Sequence, residues 1–328
     1  MNHRRRAVIA AGAGIVVAAL PVLAQQRGRT WRVGFLAAAG PEGSEGLVKA
    51  FRDHMRALGY IEGQNLAIEL RWPKVSFDKE PEVADALVQG NVDVILAWPT
   101  PAALAAKRAT STIPVIFVGT SDPVGSGLIN SLARPGGNLT GVANLGLDLA
   151  AKLVQLLVEL LPATQRIGVI HNKSNPAVMA QFKETERAIR VLGLHAEVAN
   201  ALSAEEYENA FKALSRARVS AVLVIPDASA LQNRKLIADL ALAARLPTIF
   251  QREENVVAGG LISYGPNLHD QLRQAARFVD RIFKGAKPAD LPTEQPERIE
   301  MVLNAKTAEA LKITVPPAVK IRADKVIN

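Results

Sequence analysis

Short apolar runs alternate with helix-period segments along this chain, and after a turn-rich break the alternation starts again. That restart limits the fold more than any other feature. Trp31-Arg32-Val33-Gly34-Phe35-Leu36 reads as a first strand. Leu47, Phe51, Met55 and Leu58 recur at helical spacing, and Gly59 closes that helix. Residues 65–71 alternate as a second strand, residues 78–89 read as a helix, and residues 92–97 form a third, apolar strand. Thr100 is placed to N-cap a helix over residues 102–109, with Pro101 at its first position. Val115-Ile116-Phe117-Val118 is a fourth strand with the polar tip Gly119-Thr120-Ser121-Asp122, and residues 124–132 carry a short helical pattern. Arg134-Pro135-Gly136-Gly137-Asn138 then interrupts the series. Strands that are apolar throughout belong to parallel sheets covered by helices on both faces.

The second set begins after Gly141. Leu149, Leu153, Leu156, Leu157 and Leu160 line a helix that Pro162 ends, and Arg166-Ile167-Gly168-Val169-Ile170-His171 is a strand. A helix over residues 176–192, a strand over 194–199 and a helix opened by the capping box Ser203/Glu206 follow. The strand at residues 221–225 stops at Pro226-Asp227-Ala228-Ser229, a helix runs to Arg245, and Thr248-Ile249-Phe250 completes the set. The remainder is less regular. It reads as a strand at 261–267, a helix over 269–284, an extended segment spaced by Pro288, Pro292 and Pro296, a strand at 298–303, a helix at 307–311 and a tail. The expectation is an α/β protein of two Rossmann-like lobes, parallel sheets flanked by helices, joined by three crossover strands. Residues 31–141 with 268–292 form one lobe and residues 142–264 with 297–328 the other, with hinges near 138–142, 264–268 and 292–297.

Arg4-Arg5-Arg6, the uncharged apolar run over residues 7–20, and Val22-Leu23-Ala24 after Pro21 have the layout of a cleavable signal peptide over residues 1–24. The run is shorter than the roughly 20 residues of a spanning helix. The mature chain is expected outside the cytoplasmic membrane, in the periplasm. It has no cysteine, so no lipid-modified cysteine anchors it and no disulfide or thiolate chemistry is available. Of the net charge of +8, three positive charges belong to the signal segment. The remaining surplus is spread without a Lys/Arg block, which gives no footprint for nucleic acid.

No trace of an enzyme is present. His54, His171, His195 and His269 have no metal-ligand spacing, and no Gly-x-Ser-x-Gly elbow, Walker loop or Gly-x-Gly-x-x-Gly after a strand occurs. Glu205-Glu206 and Glu253-Glu254 stand at helix starts, where the helix dipole explains them. No catalytic residue, metal or cofactor is expected. Polar and small residues gather instead at the carboxyl ends of strands, where open parallel sheets bind ligands. The candidate ligand-binding residues are Ala38, Gly40, Trp98, Thr100, Pro101, Thr120, Asp122, Asn172, Asp227, Ser229 and Tyr264. Small residues admit a ligand to the backbone, Thr100 and its helix N-terminus suit a carboxylate, Asp122 or Asp227 suits an ammonium, and Trp98 and Tyr264 offer aromatic walls. Each has a plainer role open to it: Thr100 as a cap, Asp122 and Asp227 as turn formers, Asn172 as a turn residue, Trp98 and Tyr264 as packing aromatics.

Several runs in order carry a family likeness. They are Leu58-Gly59-Tyr60-Ile61-Glu62-Gly63-Gln64-Asn65, Thr100-Pro101-Ala102-Ala103, Asp122-Pro123-Val124-Gly125-Ser126-Gly127-Leu128, Ala133-Arg134-Pro135-Gly136-Gly137-Asn138-Leu139-Thr140-Gly141, Ser263-Tyr264-Gly265-Pro266-Asn267-Leu268 and Lys284-Gly285-Ala286-Lys287-Pro288-Ala289-Asp290-Leu291-Pro292. With these the chain resembles the tryptophan/tyrosine-type ABC transporter substrate-binding proteins over nearly all of its mature length. The resemblance implies a type I periplasmic-binding-protein fold. It also implies capture of a small ligand, an amino acid (aromatic ones included) or a related carboxylate, and delivery to ABC permease subunits in the inner membrane; the chain is expected to act as a monomer. A ligand-binding component feeding a membrane sensor, or an exported α/β enzyme, are the alternatives. Trp98-Pro99 replaces the small Gly-containing stretch usual before Thr100-Pro101, so a bulky residue stands at a cleft-facing strand end.

Overall fold

Apolar runs and helical periods resolve into two sheets in the computed structural model, which describes residues 29–38, 40–72 and 80–328. The expected signal peptide and the start of the helix expected over residues 78–89 lie outside the described residues. The first set is β1 (Trp31–Ala37), α1 (Pro41–Ala57), β2 (Leu66–Arg71), α2 (Glu80–Gln89), β3 (Val94–Trp98), α3 (Thr100–Ala109), β4 (Val115–Thr120) and β5 (Leu139–Ala143). Its five strands run parallel in the order β2-β1-β3-β4-β5. Every residue of β3, β4 and β5 is buried, as their unbroken apolar sequences require of strands covered on both faces.

The helix expected over residues 124–132 does not form. Gly125 and Gly127 weaken helical propensity there, Gly127 has φ +71°, and the Asp122 carboxylate accepts the Gly125 N–H at 2.7 Å. A series of turns results, with the Ser126 and Leu128 N–H groups donating to the carbonyls of Asp122 and Pro123.

The second set is α4 (Gly146–Leu160), β6 (Arg166–His171), α5 (Pro176–Val191), β7 (His195–Asn200), α6 (Ala204–Arg216), β8 (Ala221–Val224), α7 (Ala228–Gln232), α8 (Arg234–Ala243), β9 (Thr248–Phe250), α9 (Glu253–Val257) and β10 (Ile262–Pro266). After α10 (Leu268–Phe283) and a 3-10 turn (Pro288–Asp290) come β11 (Ile299–Asn304), α11 (Ala305–Ala310), α12 (Pro317–Arg322) and β12 (Lys325–Ile327). The sheet order is β12-β11-β10-β9-β8-β6-β7, antiparallel only between β10 and β11. The expected tail is thus more than a tail: it supplies a short helix and an edge strand on β11.

Three passages link the sheets. The expected first hinge near residues 138–142 coincides with β5 itself, and the chain leaves the first sheet only after Ala143. It returns between β10 and α10, whose buried Leu272, Ala275, Phe278 and Val279 share one core with Phe35, Phe51 and Met55. It leaves again past Glu294, which pairs with Val142, to enter β11. Ala228 and Leu231 of α7 are also buried in that first-lobe core, so the lobes are in contact.

Candidate ligand site between the lobes

The carboxyl ends of β3 and β4 in one sheet and of β8 and β9 in the other converge on a cavity of ≈ 20 Å³, about the room one water needs. Trp98, Pro99, Thr100, Gly119 and Ser121 line it from the first lobe. Asn144, on the first passage, closes one side, and its N–H donates to the Thr120 carbonyl at 2.6 Å. From the second lobe come Asn175, Ala177 and Val178 at the start of α5, Pro226, Asp227 and Ala228 after β8, and Arg252 after β9.

Trp98 is 2% exposed, and its indole Nε1 has no hydrogen-bond partner. Arg252 is 6% exposed and, among the described residues, makes no side-chain hydrogen bond or ion pair. Burial pushes the Arg252 guanidinium below its ordinary pKa, opposed by the charge of Glu254. An unpaired buried charge costs several kcal/mol. These two donors meet at Gly119. A β-carbon there would stand 3.1 Å from Trp98 Nε1 and 3.3 Å from Arg252 Nη2, and the φ of +71° favours glycine independently. The bare backbone at Gly119 therefore keeps open the point on which both donors converge.

Asp227 is differently placed. Its Oδ1 accepts from the Ser229 N–H (3.0 Å), the Ser229 hydroxyl (2.7 Å) and Asn172 Nδ2 (3.3 Å). Its Oδ2 accepts from Asn175 Nδ2 at 2.9 Å. Tyr207 extends the network to Ser229 at 3.0 Å, and burial raises the Tyr207 pKa far above its ordinary value. Beside this network His171 stacks on Phe182, ring centroids 4.6 Å apart, and burial lowers its pKa.

Of the residues expected at the site, the structure brings Trp98, Thr100 and Asp227 to the cavity wall. Asn172 and Ser229 stand behind Asp227 and orient it. Thr120 is fully buried next to Gly119 with an unpartnered hydroxyl. Thr100 is not the N-cap of α3. The non-helical residue is Pro99, so the helix starts one position earlier and the Thr100 hydroxyl makes no capping bond. The others lie off the wall. Pro101 is the second residue of α3, Ala38 is packed in the first core, and Tyr264 packs against the second. The Gly40 N–H reaches Gln232 of the opposite lobe at 3.5 Å, and Asp122 is occupied in its own turn.

Arg252 is the main residue that strand-end reasoning passed over. Gln251-Arg252 follows the buried strand β9 directly, and a charge at the mouth of a fully buried strand is the signal that could have singled it out. Gly119 and Ser121 sat inside the recognised polar tip. Asn144, Asn175 and Ala177 had no comparable signal, because helix starts and passages carry such residues everywhere. Among the described residues no group of three or more His, Cys, Asp or Glu could hold a metal ion.

The family model for ABC transporter substrate binding proteins matches residues 39–327. The chain is 26% identical over 283 residues to a tyrosine-binding protein of Clostridioides difficile (strain R20291), covering 86% of this chain and 78% of that protein. A conserved domain protein from Vibrio cholerae superposes with a TM-score of 0.85 at 26% identity, over 91% of this chain and 100% of that one. The ABC domain from Streptococcus pneumonia in complex with L-Trp superposes with a TM-score of 0.81 at 27% identity, over 90% and 100%. The two-lobed α/β architecture is that of type I periplasmic binding proteins, as the family resemblance implied. The chain belongs to the ABC transporter substrate binding protein family.

Proposed function

We propose that this chain is the exported solute receptor of an ABC importer and that its lobes close on a small ligand at the cavity between Trp98 and Arg252. Arg252 carries the reading: a buried guanidinium on the wall of an inter-lobe cavity, with the charge of Glu254 nearby but no hydrogen-bond partner among the described residues, gains its partner when an anionic group arrives. Trp98, Thr100, Thr120 and Asp227 face or border that ligand, with Asn172 and Ser229 holding Asp227 in place. Ala38, Gly40, Pro101, Asp122 and Tyr264 serve packing and turns instead.

Residues 1–24 act as a signal peptide, the mature chain works as a monomer in the periplasm, and permease subunits of the inner membrane receive the ligand. Lobes made of residues 31–141 with 268–292 and 142–264 with 297–328 turn about the three passages, and the permease distinguishes closed from open. The relatives named for tyrosine and L-Trp put amino acids, aromatic ones included, and related carboxylates first among ligands to try. The protein returns its ligand unchanged, without cofactor.

Calorimetry and thermal-shift screening of the mature chain against amino acids and carboxylic acids test this. A binder raises the melting temperature by mass action, and mass spectrometry recovers it intact. If Trp98→Ala and Arg252→Gln both leave the affinity of that binder unchanged, the ligand binds elsewhere and the location is wrong.

A further inference from the structure

The two charged residues on the cavity wall are unequally available, and that inequality bears on what the site accepts. Arg252 has five N–H donors in a planar fork and spends none on the protein. Asp227 has about four acceptor positions, and three donors crowd its Oδ1 while Asn175 takes its Oδ2. An amino acid needs both ends bound: carboxylate to a cation, ammonium to two or three acceptors. The first requirement is met here. The second is met poorly: on the one carboxylate of the wall at most one direction on Oδ2 remains free, and the other acceptors there, the Thr100 and Ser121 hydroxyls, are neutral.

Three further features of the wall favour an anion. Trp98 Nε1 is a donor only and is unpartnered, and the first turns of α3 and α5, ten and sixteen residues long, open on the same space. One guanidinium assisted by neutral donors balances a single negative charge and leaves a dianion short. The remaining wall is neutral: the hydroxyls of Thr100 and Ser121 and the amides of Asn144 and Asn175 alternate with Pro99, Ala177, Val178, Pro226 and Ala228, and Trp98 forms the aromatic side. Little volume is left beyond it.

We infer that the site selects a short-chain monocarboxylate that carries no α-ammonium group, its carboxylate held by Arg252 and Trp98 Nε1 over Gly119. This rests on the inter-lobe cavity being the ligand site and narrows the ligand class there. The rival is a zwitterion bridging Arg252 and Asp227, which requires Asp227 to release Asn175.

Matched pairs that differ only in the ammonium decide between them: propionate against alanine, butyrate against 2-aminobutyrate, 3-phenylpropionate against phenylalanine and 3-(4-hydroxyphenyl)propionate against tyrosine, with sulfate and phosphate as further probes. Titration calorimetry on the full mature chain is expected to show the acid binding at least about tenfold tighter than its amino acid, with the short acids ahead of the aryl ones. Arg252→Gln is expected to weaken the acid about a hundredfold while raising the melting temperature of the ligand-free protein, because a buried charge without a hydrogen-bond partner is removed. A purely structural arginine would give a lower melting temperature instead. Arg252→Lys keeps the charge but not the fork and should fall between. An amino acid that binds as tightly as its acid overturns the ligand class while leaving the cavity as the site. Preference for sulfate or phosphate over every acid overturns it too. Failure of both members of every pair, with another solute binding independently of Trp98 and Arg252, removes both the class and the site.

Discussion

A methyl group on Gly119 would enter the point where Trp98 and Arg252 converge, on a backbone already in the left-handed region. Gly119→Ala is therefore expected to cost about 1–2 kcal/mol of stability and, separately, to weaken ligand binding. Urea denaturation reads the first effect and calorimetry the second. Unchanged affinity would place the ligand away from that point. His171 gives a pH dependence with a definite sign. Burial against Phe182 holds its folded pKa below the ordinary 6.5, so the unfolded chain protonates first. Its contribution is full above pH 6.5 and declines as the pH falls below that value, until the folded form also takes the proton. Denaturation midpoints between pH 7.5 and 5 should fall, and His171→Gln should make the fall shallower. It should not abolish it, since burial lowers the pKa of His54 as well. At this scale the sequence was only half readable. Trp98 and Asp227 stood out because an aromatic or an acid at a strand end is conspicuous. What matters about them, a missing partner for one and four accepted hydrogen bonds for the other, depends on residues as distant as Arg252 and Asn175.

Caps are the elements' best-defined local features, and they differ in reach. Ser203 and Glu206 satisfy each other's backbone N–H groups at the start of α6, and Ser203→Ala should cost about 1 kcal/mol. Asn267 caps α10 through the N–H groups of His269 and Asp270, and its amide also donates to Glu253 and Glu300 across the second passage. Asn267→Ala is expected to cost more, about 2 kcal/mol, and urea curves for the two variants compare them directly; equal losses would mean the links to Glu253 and Glu300 carry nothing. The Ser203/Glu206 box was legible because it lies within four residues. The strands were legible for the same reason, from uninterrupted runs such as residues 94–97 and 115–118. Three local readings failed where a neighbour overrode the pattern. Pro99 displaced Thr100 as the cap of α3, the Asp122 turn with Gly125 and Gly127 replaced a helix, and pairing with β11 made the last residues a strand.

The apolar part of the lobe contact includes α7, whose Leu231 is 3% exposed among first-lobe core residues although its helix follows β8 of the second sheet. Leu231→Glu would bury a charge only in the closed form, so it should shift the population towards open. Small-angle scattering is expected to show a larger radius of gyration, and the apparent dissociation constant should rise in proportion as the closed fraction falls. An unchanged radius with unchanged affinity would mean that α7 does not govern closure. The two-lobe plan was legible in the restart after Gly141, but the contact between the lobes was not, because it depends on a few side chains meeting across the cleft. The threading of the chain has another consequence. α10, which covers one face of the first sheet, is made only after β6 to β10, and β11 and β12 come later still. A growing chain that has reached residue 265 holds five strands of each sheet and can bury neither core completely. Completion of both cores must then wait for the last fifth of the chain, so neither lobe can mature ahead of the other while the polypeptide grows.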